Sequence, residues 1–429
     1  MDLRIAKTDG FGGKVAAVAS KSAAHRLMIC AAFADGETFV RCPEKSKDIR
    51  ATVACLSALG VSFEETEDGY TVTPARELRT GASLDCGESG TTYRFMLALV
   101  SCLGVSASLI GHGRLPSRPL SPLYETLVEN GVSIAPQGSN PLTVSGQLCG
   151  TAFSFPGNVS SQYASGLLLA FPMLATAENA PVSLCLTGKV ESRPYLDMTV
   201  RAMQAFGVPV TAEELPDGAL RFTVSPSAYH TPGQIVTEGD FSGAAFFLAA
   251  GAIGSAPVTL LHLDPDSPQG DRKMMALLRE FGAKVTSDGG GITVSPAPLH
   301  AIRIDASQIP DLVPILAVVA AAAMGTTHIY NAARLRLKES DRLVTVHRLI
   351  ASLGGKIVEG EDDLRIEGNG RLRGGTVSAE NDHRIAMSAA IAALISETQV
   401  TILGAECADK SYARFYEDAV SVGFSVEAV

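Results

Sequence analysis

Apolar and polar positions along the chain repeat one grammar six times. Each segment opens on a polar cluster of Ser, Gly, Thr, Asn or Asp and runs into an Ala/Leu-rich helical stretch. A β-branched strand follows, then a second amphipathic helix stopped at a glycine, then two short strands. In the first segment Ser20–Lys21–Ser22 opens the unit, Ala23 to Phe33 has helical periodicity and Thr38–Val40 reads as a strand. Ile49 to Leu59 is a second helix ending at Gly60, where a left-handed C′ residue is needed. Val61–Phe63 and Tyr70–Val72 form a hairpin about Asp68–Gly69.

The other openings are Gly87–Thr91, Val159–Gln162, Glu238–Asp240, Ile309–Asp311 and Glu380–His383, and the matching second helices end at Gly131, Gly207, Gly282, Gly354 and Gly423. A spacing of roughly 65–80 residues is too long for a solenoid. Six βαβαββ units predict an α/β protein of two domains with three units each. Residues 20–233 hold units one to three, and 1–19 with 234–429 hold units four to six, the break falling near Pro232–Gly233. The first strand, about Leu3 to Ile5, is expected to pair with the C-terminal half.

Any one polar cluster is explained by helix N-capping alone. The accompanying cations change that picture. A helix N-terminus attracts anions through its unpaired N–H groups and partial positive charge. Lys21 and Arg26 flank the first opening, Arg94 follows the second, and Arg384 lies in the sixth beside His383. Arg114 and Arg118 sit in a Gly/Pro/Ser loop, Lys410 precedes Ser411–Tyr412, and Lys338–Glu339–Ser340–Asp341–Arg342 is the densest charge cluster. Yet the 429-residue chain carries a formal net charge of −10, with 19% charged residues. Nucleic acid and anionic membranes are poor partners for it. Cations gathered locally at anion-favouring positions imply a ligand set rich in phosphate and carboxylate.

Several chemistries lack their motif. Gly10–Phe–Gly–Gly–Lys14 is too short for a P-loop, no G-x-G-x-x-G follows a strand, and no G-x-S-x-G is present. The eight histidines and eight cysteines show no metal-ligand spacing and no C-x-x-C pair. No cofactor or metal is expected. Cysteines in apolar runs fit a reducing, cytoplasmic setting. No signal peptide opens the sequence, and the longest apolar run, Leu312 to Met324, reads as a buried helix. A monomer is expected.

Six motifs together carry a resemblance over essentially the whole chain. They are Ser20–Lys–Ser–Ala–Ala–His–Arg26, Gly87–Glu–Ser–Gly–Thr–Thr–Tyr–Arg94, Ser160–Ser–Gln162, Ser192–Arg–Pro–Tyr195, Leu337–Lys–Glu–Ser–Asp–Arg–Leu343 and Asn381–Asp–His–Arg384. In this order and spacing they resemble the 5-enolpyruvylshikimate-3-phosphate synthases. The resemblance implies two inside-out α/β domains of three βαβαββ repeats, with shikimate 3-phosphate and phosphoenolpyruvate as substrates bound in a cleft between domains. It implies that Lys21 and Gln162 contact both substrates. Ser22, Arg26, Ser160, Ser161, Ser192, Asp311, Lys338 and, as a weaker candidate, Arg334 would hold shikimate 3-phosphate. The Gly90 backbone, Arg118, Arg342, Arg384 and Lys410 would hold phosphoenolpyruvate. Asp311 would take the proton of the 5-hydroxyl and Glu339 would protonate the methylene carbon, with Lys21 and His383 as further catalytic candidates. Glu88 stands where many members have Asn, Phe95 where many have Pro, and Arg334 where some have Asn.

Two rival readings each meet an obstacle in the sequence. Transferases that use UDP-N-acetylglucosamine usually carry a reactive Cys on a mobile loop, whereas Gly111 to Pro119 has none. A non-catalytic metabolite-binding protein would be expected to lose Lys21, Asp311 or Glu339, and all three are present.

Overall fold

The computed structural model describes residues 1–8 and 10–429. The chain divides into two compact units, Lys21–Thr237 and Met1–Ser20 joined with Glu238–Val429. Each contains three four-stranded sheets built on one plan. A first strand lies parallel to a second, the second antiparallel to the fourth, and the fourth antiparallel to the third. In the unit Lys21–Thr237, Ala82–Asp85, Ala107–Ile110, Val132–Ile134 and Leu142–Gly146 make one such sheet. Ala152–Pro156, Val182–Thr187, Val210–Glu214 and Leu220–Val224 make another.

The remaining sheet of this unit takes its first strand from far along the chain. Gln234–Val236 pairs in parallel with Thr38–Arg41, so it lies with Lys21–Thr237 and not with the segment that follows it. Conversely, Gly13–Ala16 pairs in parallel with Val258–Leu261 in the other unit. The two connecting stretches thus exchange first strands, and they run side by side through Ser20 N to the Glu238 carbonyl and Asp240 N to the Val18 carbonyl, both 2.8 Å. The strand Leu3–Lys7 is inserted between Val400–Leu403 and Phe424–Ala428, where it takes the place of a fourth strand in the sixth unit.

Helices form the middle of each unit. Lys21–Ala32, Gly90–Leu103 and Ser161–Glu178 are buried along most of their length, as are Phe241–Ile253, Val313–Ala322 and His383–Ala392 in the other unit. They pack on one another, whereas strands such as Leu364–Gly368 bury alternate residues only. Ala-rich and Leu-rich helices without a polar face have no other stable place in a water-soluble layer structure. The long apolar run read as a buried helix is one of them. The second helices stop where expected: Gly60, Gly131, Gly207, Gly282, Gly354 and Gly423 all have positive φ.

Most openings do cap. Ser89, Ser160, Asp240 and Asp382 each accept a backbone N–H of the helix they begin. Asp311 does not: it lies inside the turn Pro310–Leu312, whose start carries no side-chain cap. Its carboxylate is used elsewhere.

Candidate active site

The site residues of Lys21–Thr237 gather at the N-terminal ends of its three buried helices. Lys21 begins the first, and its ammonium lies 2.9 Å from Asp48 at the start of the neighbouring helix Lys47–Ala58. Ser160 and Ser161 begin the third, and Gln162 follows in its first turn. Gln162 is held from both ends: its amide donates to Thr91 Oγ1 at 2.9 Å and its oxygen accepts from Arg94 Nη1 at 2.5 Å. Arg94 also donates to the Pro119 carbonyl and stacks over the Tyr163 ring at 5.4 Å.

Gly90 begins the second helix beneath two guanidinium groups. A Cβ there would meet Arg118 Nη1 at 2.7 Å and Arg94 Nη1 at 2.9 Å, so glycine lets both guanidinium tips sit directly over the helix end. The buried Nε of Arg118 has no hydrogen-bond partner among the described residues. Helix N–H groups under paired guanidinia form an anion cradle.

Arg26 is placed differently from a surface ligand. It is 2% exposed and its donors are committed to Thr199 Oγ1 (2.7 Å), the Ser22 carbonyl (2.6 Å), the Tyr195 carbonyl (2.9 Å) and Ser165 Oγ (3.2 Å), over the Phe95 ring. Burial pushes it down to about 10. It ties the helix carrying Lys21 to Ser161–Glu178 and Arg193–Ala205, while Ser192, buried and left-handed at φ 56°, precedes the last of these.

The other unit assembles a charge cluster around Arg342, which is 1% exposed on its side chain. Its Nη1 meets Asp311 at 2.7 Å, its Nη2 meets Glu339 at 2.5 Å, and its Nε meets the fully buried Asp382 at 2.8 Å. Burial works against this charge, but Asp382, Glu339 and Asp311 outweigh it and hold the guanidinium above its ordinary value. Burial would likewise raise Asp382, yet Arg342 wins and holds the carboxyl below its usual range.

Asp311 is the point where the cations converge. Besides Arg342 it faces Lys338 Nζ at 3.4 Å and Arg384 Nη2 at 3.6 Å, and its carbonyl accepts from Arg384 Nη1. Lys338 is pushed down to about 8, by burial first, with Arg342 and Arg334 adding repulsion against the pull of Asp311. His383 is buried at the start of its helix, and Lys410 donates to the Asn381 carbonyl at 2.8 Å.

Three participants escaped the sequence reading of the site. Asp48 carries the ion pair of Lys21, and its position in a first helical turn was a weak signal. Asp382, inside a quoted motif, is the buried counter-ion of Arg342. Asp271, in the turn Gly270–Lys273, accepts a hydrogen bond from Ser242 and is raised to about 6 by burial and by Asp311. No local pattern marks it.

Six copies of one mixed sheet around two helix cores also describe solved enolpyruvyl transferases. The enzyme NikO from Streptomyces tendae matches 99% of this chain and 98% of its own with a TM-score of 0.76 at 18% identity. The EPSP synthase of Acinetobacter baumannii matches all of both chains with a TM-score of 0.82 at 27% identity. Fold and cation-lined helix ends thus define an enolpyruvyl transferase.

The sequence comparisons are narrower. The family model for EPSP synthase (3-phosphoshikimate 1-carboxyvinyltransferase) matches residues 5–419. The 3-phosphoshikimate 1-carboxyvinyltransferase of Clostridium acetobutylicum is 38% identical over 414 residues, 95% of this chain and 94% of its own. That of Clostridium kluyveri is 36% identical over 417 residues, 97% and 96% respectively. The chain belongs to the EPSP synthase family. It transfers the enolpyruvyl group of phosphoenolpyruvate to the 5-hydroxyl of shikimate 3-phosphate, releasing phosphate, in the route to aromatic amino acids.

Proposed function

We propose that Asp311 and Glu339 are the base and acid of this transfer, and that one buried cation, Arg342, sets both. The observation that carries the reading is that Arg342 pairs with the two carboxylates at 2.7 and 2.5 Å. Glu339 gives a proton to the methylene carbon of phosphoenolpyruvate while the 5-oxygen bonds to the adjacent carbon and its proton passes to Asp311. The tetrahedral adduct then returns a methyl proton to the Glu339 carboxylate as phosphate leaves, which restores the double bond, and the proton held by Asp311 goes to the departing phosphate.

A carboxylate in an ion pair is ionised and cannot act as an acid. The donor's own negative charges, bound by Arg342, Arg384 and Lys410, offset that cation and favour the protonated form of Glu339. Asp311, which keeps Lys338 and Arg384 as neighbours, stays available as a base. Arg118 and the N–H groups at Gly90 take further negative charge of phosphoenolpyruvate, and Gln162 orients it. Ser22, Ser160, Ser161, Ser192, Lys338 and Arg334 serve shikimate 3-phosphate. Arg26 supports this set through Ser22 and Tyr195, and Lys21 serves both substrates. Preorganised cations stabilise the charge that develops on the leaving phosphate. His383 is assigned to the catalytic set as the neighbour of Asp382 and Arg384.

We further propose that the enzyme is a cytoplasmic monomer. Eight free cysteines, six of them buried, suit a reducing compartment, and no helix among the described residues is long and apolar enough to cross a membrane.

Phosphate release in the presence of both substrates tests the roles. Asp311→Asn and Glu339→Gln should each lower kcat by about 10²–10⁴-fold, the usual weight of a positioned acid or base. A KM change with unaltered kcat in either variant would reassign that carboxylate to binding.

A further inference from the structure

A line of buried hydroxyls runs from the helix of Lys21 to the helix end at Gly90. His25, 1% exposed, has Nδ1 2.7 Å from Thr52 Oγ1. Thr52 Oγ1 lies 2.7 Å from Thr92 Oγ1, which in turn donates to Ser89 Oγ at 2.8 Å. Ser89 is the N-cap of Gly90–Leu103 and accepts the Thr92 N–H at 3.2 Å. The chain therefore links three helices: Lys21–Ala32, Lys47–Ala58 and Gly90–Leu103.

Its direction follows from counting donors. Ser89 Oγ accepts from Thr92, so the Thr92 hydroxyl proton is spent and its oxygen receives the proton of Thr52. Thr52 is then left with an acceptor to offer, and His25 must donate through Nδ1. The other ring nitrogen agrees: Nε2 is buried with no hydrogen-bond partner among the described residues. A buried unpaired lone pair costs less than a buried unpaired N–H. Burial, then Lys21 and Arg26 on the same helix, hold the imidazole well below its ordinary value and so neutral.

We propose that neutral His25, protonated on Nδ1, is a positioning residue that sets the Thr52–Thr92–Ser89 chain and thereby the register of the Gly90 helix end under Arg94 and Arg118. Resting on the assignment of Gly90 to phosphoenolpyruvate, it adds the element that holds the cradle in place.

Three measurements test it. ¹⁵N NMR of histidine-labelled enzyme, with His25→Asn to assign the signal, should find the His25 proton on Nδ1; a proton on Nε2 overturns the proposal. Thr52→Val keeps the volume and removes the link. It should raise the KM for phosphoenolpyruvate roughly 2- to 12-fold, the weight of one net hydrogen bond. The KM for shikimate 3-phosphate and kcat should stay within about 1.5-fold, below that weight, and Thr52→Ser should restore the donor KM. Equal loss for both substrates, or no rescue by Ser, overturns it. Arg118→Met separates the two levels. If that variant leaves the donor KM unchanged, the cradle assignment is wrong and the proposal falls with it. If Arg118→Met raises the donor KM and Thr52→Val does not, only the positioning role is refuted.

Discussion

Replacing Arg342 by Met removes the cation on which three carboxylates depend, and the structure ranks what each loses. Asp382 is 0% exposed, and without Arg342 its carboxylate keeps, among the described residues, the hydrogen bonds of the Ser340 hydroxyl at 2.9 Å and the Arg384 N–H at 3.0 Å, with His383 beside it. Breaking a buried pair from one side costs about 3–5 kcal/mol, because the remaining charge stays buried. Asp311 and Glu339 are 14% and 24% exposed, and Asp311 keeps Lys338 and Arg384, so these two add roughly 1 kcal/mol or less each. Arg342→Met should therefore lose about 3–5 kcal/mol, nearly all of it through Asp382. Adding Asp382→Asn should return a good part of the loss, since the neutral amide oxygen still accepts from the Arg384 N–H while the amide NH2, in place of the other oxygen, donates to the Ser340 hydroxyl.

The pH dependence gives a second, sign-specific check. In the wild type Asp382 is held below its unfolded value, so its contribution is present above about pH 4 and is lost as pH falls further. In Arg342→Met burial, with Glu339 acting in the same direction, outweighs the remaining hydrogen bonds and raises the carboxyl. The folded state then binds more protons than the unfolded one, and stability falls as pH rises from about 4 towards 7. Two units make a single unfolding midpoint unsafe. Hydrogen exchange of amides in Arg342–Ser352 and His383–Ala392, measured against urea at pH 5 and pH 7.5, reports the local loss. A loss under about 1 kcal/mol, far below the cost of breaking a buried pair, or a double variant less stable than Arg342→Met, would refute the argument.

Two further outcomes follow from the same electrostatics. Lys338, lowered to about 8, loses its proton between pH 7 and 9, so kcat/KM for shikimate 3-phosphate should fall through that range; Lys338→Arg should flatten the profile at a lower plateau, about 10-fold down for a misplaced donor. Asp271, raised to about 6, binds a proton in the folded state between about pH 4 and 6, so stability declines as pH rises through that window. Asp271→Asn should remove the slope and be more stable at pH 7 by on the order of 1–2 kcal/mol in thermal or urea unfolding, while still accepting from Ser242.

The sequence by itself determined the repeat, the helix stops and the residue types of the site. These are local matters. Glycines at 60, 131, 207, 282, 354 and 423 end helices because their backbones turn left-handed there, and an apolar run such as 313–322 must be buried wherever it goes. Ser89, Ser160, Asp240 and Asp382 could be read as caps because capping reaches only a few residues. The tertiary structure decided everything that depends on distant partners. Gln234–Val236 and Gly13–Ala16 exchange sheets because parallel pairing places no limit on the sequence distance between strands. Arg26 and Arg342 look alike in sequence as basic residues of a motif. Folding commits the first to neutral acceptors on other helices and surrounds the second with three carboxylates. Asp271 acquires its raised proton affinity only from burial beside Asp311, forty positions away in the chain, as 311 minus 271 gives. Charge and burial at a point in space are sums over the whole fold, and no local window of sequence contains them.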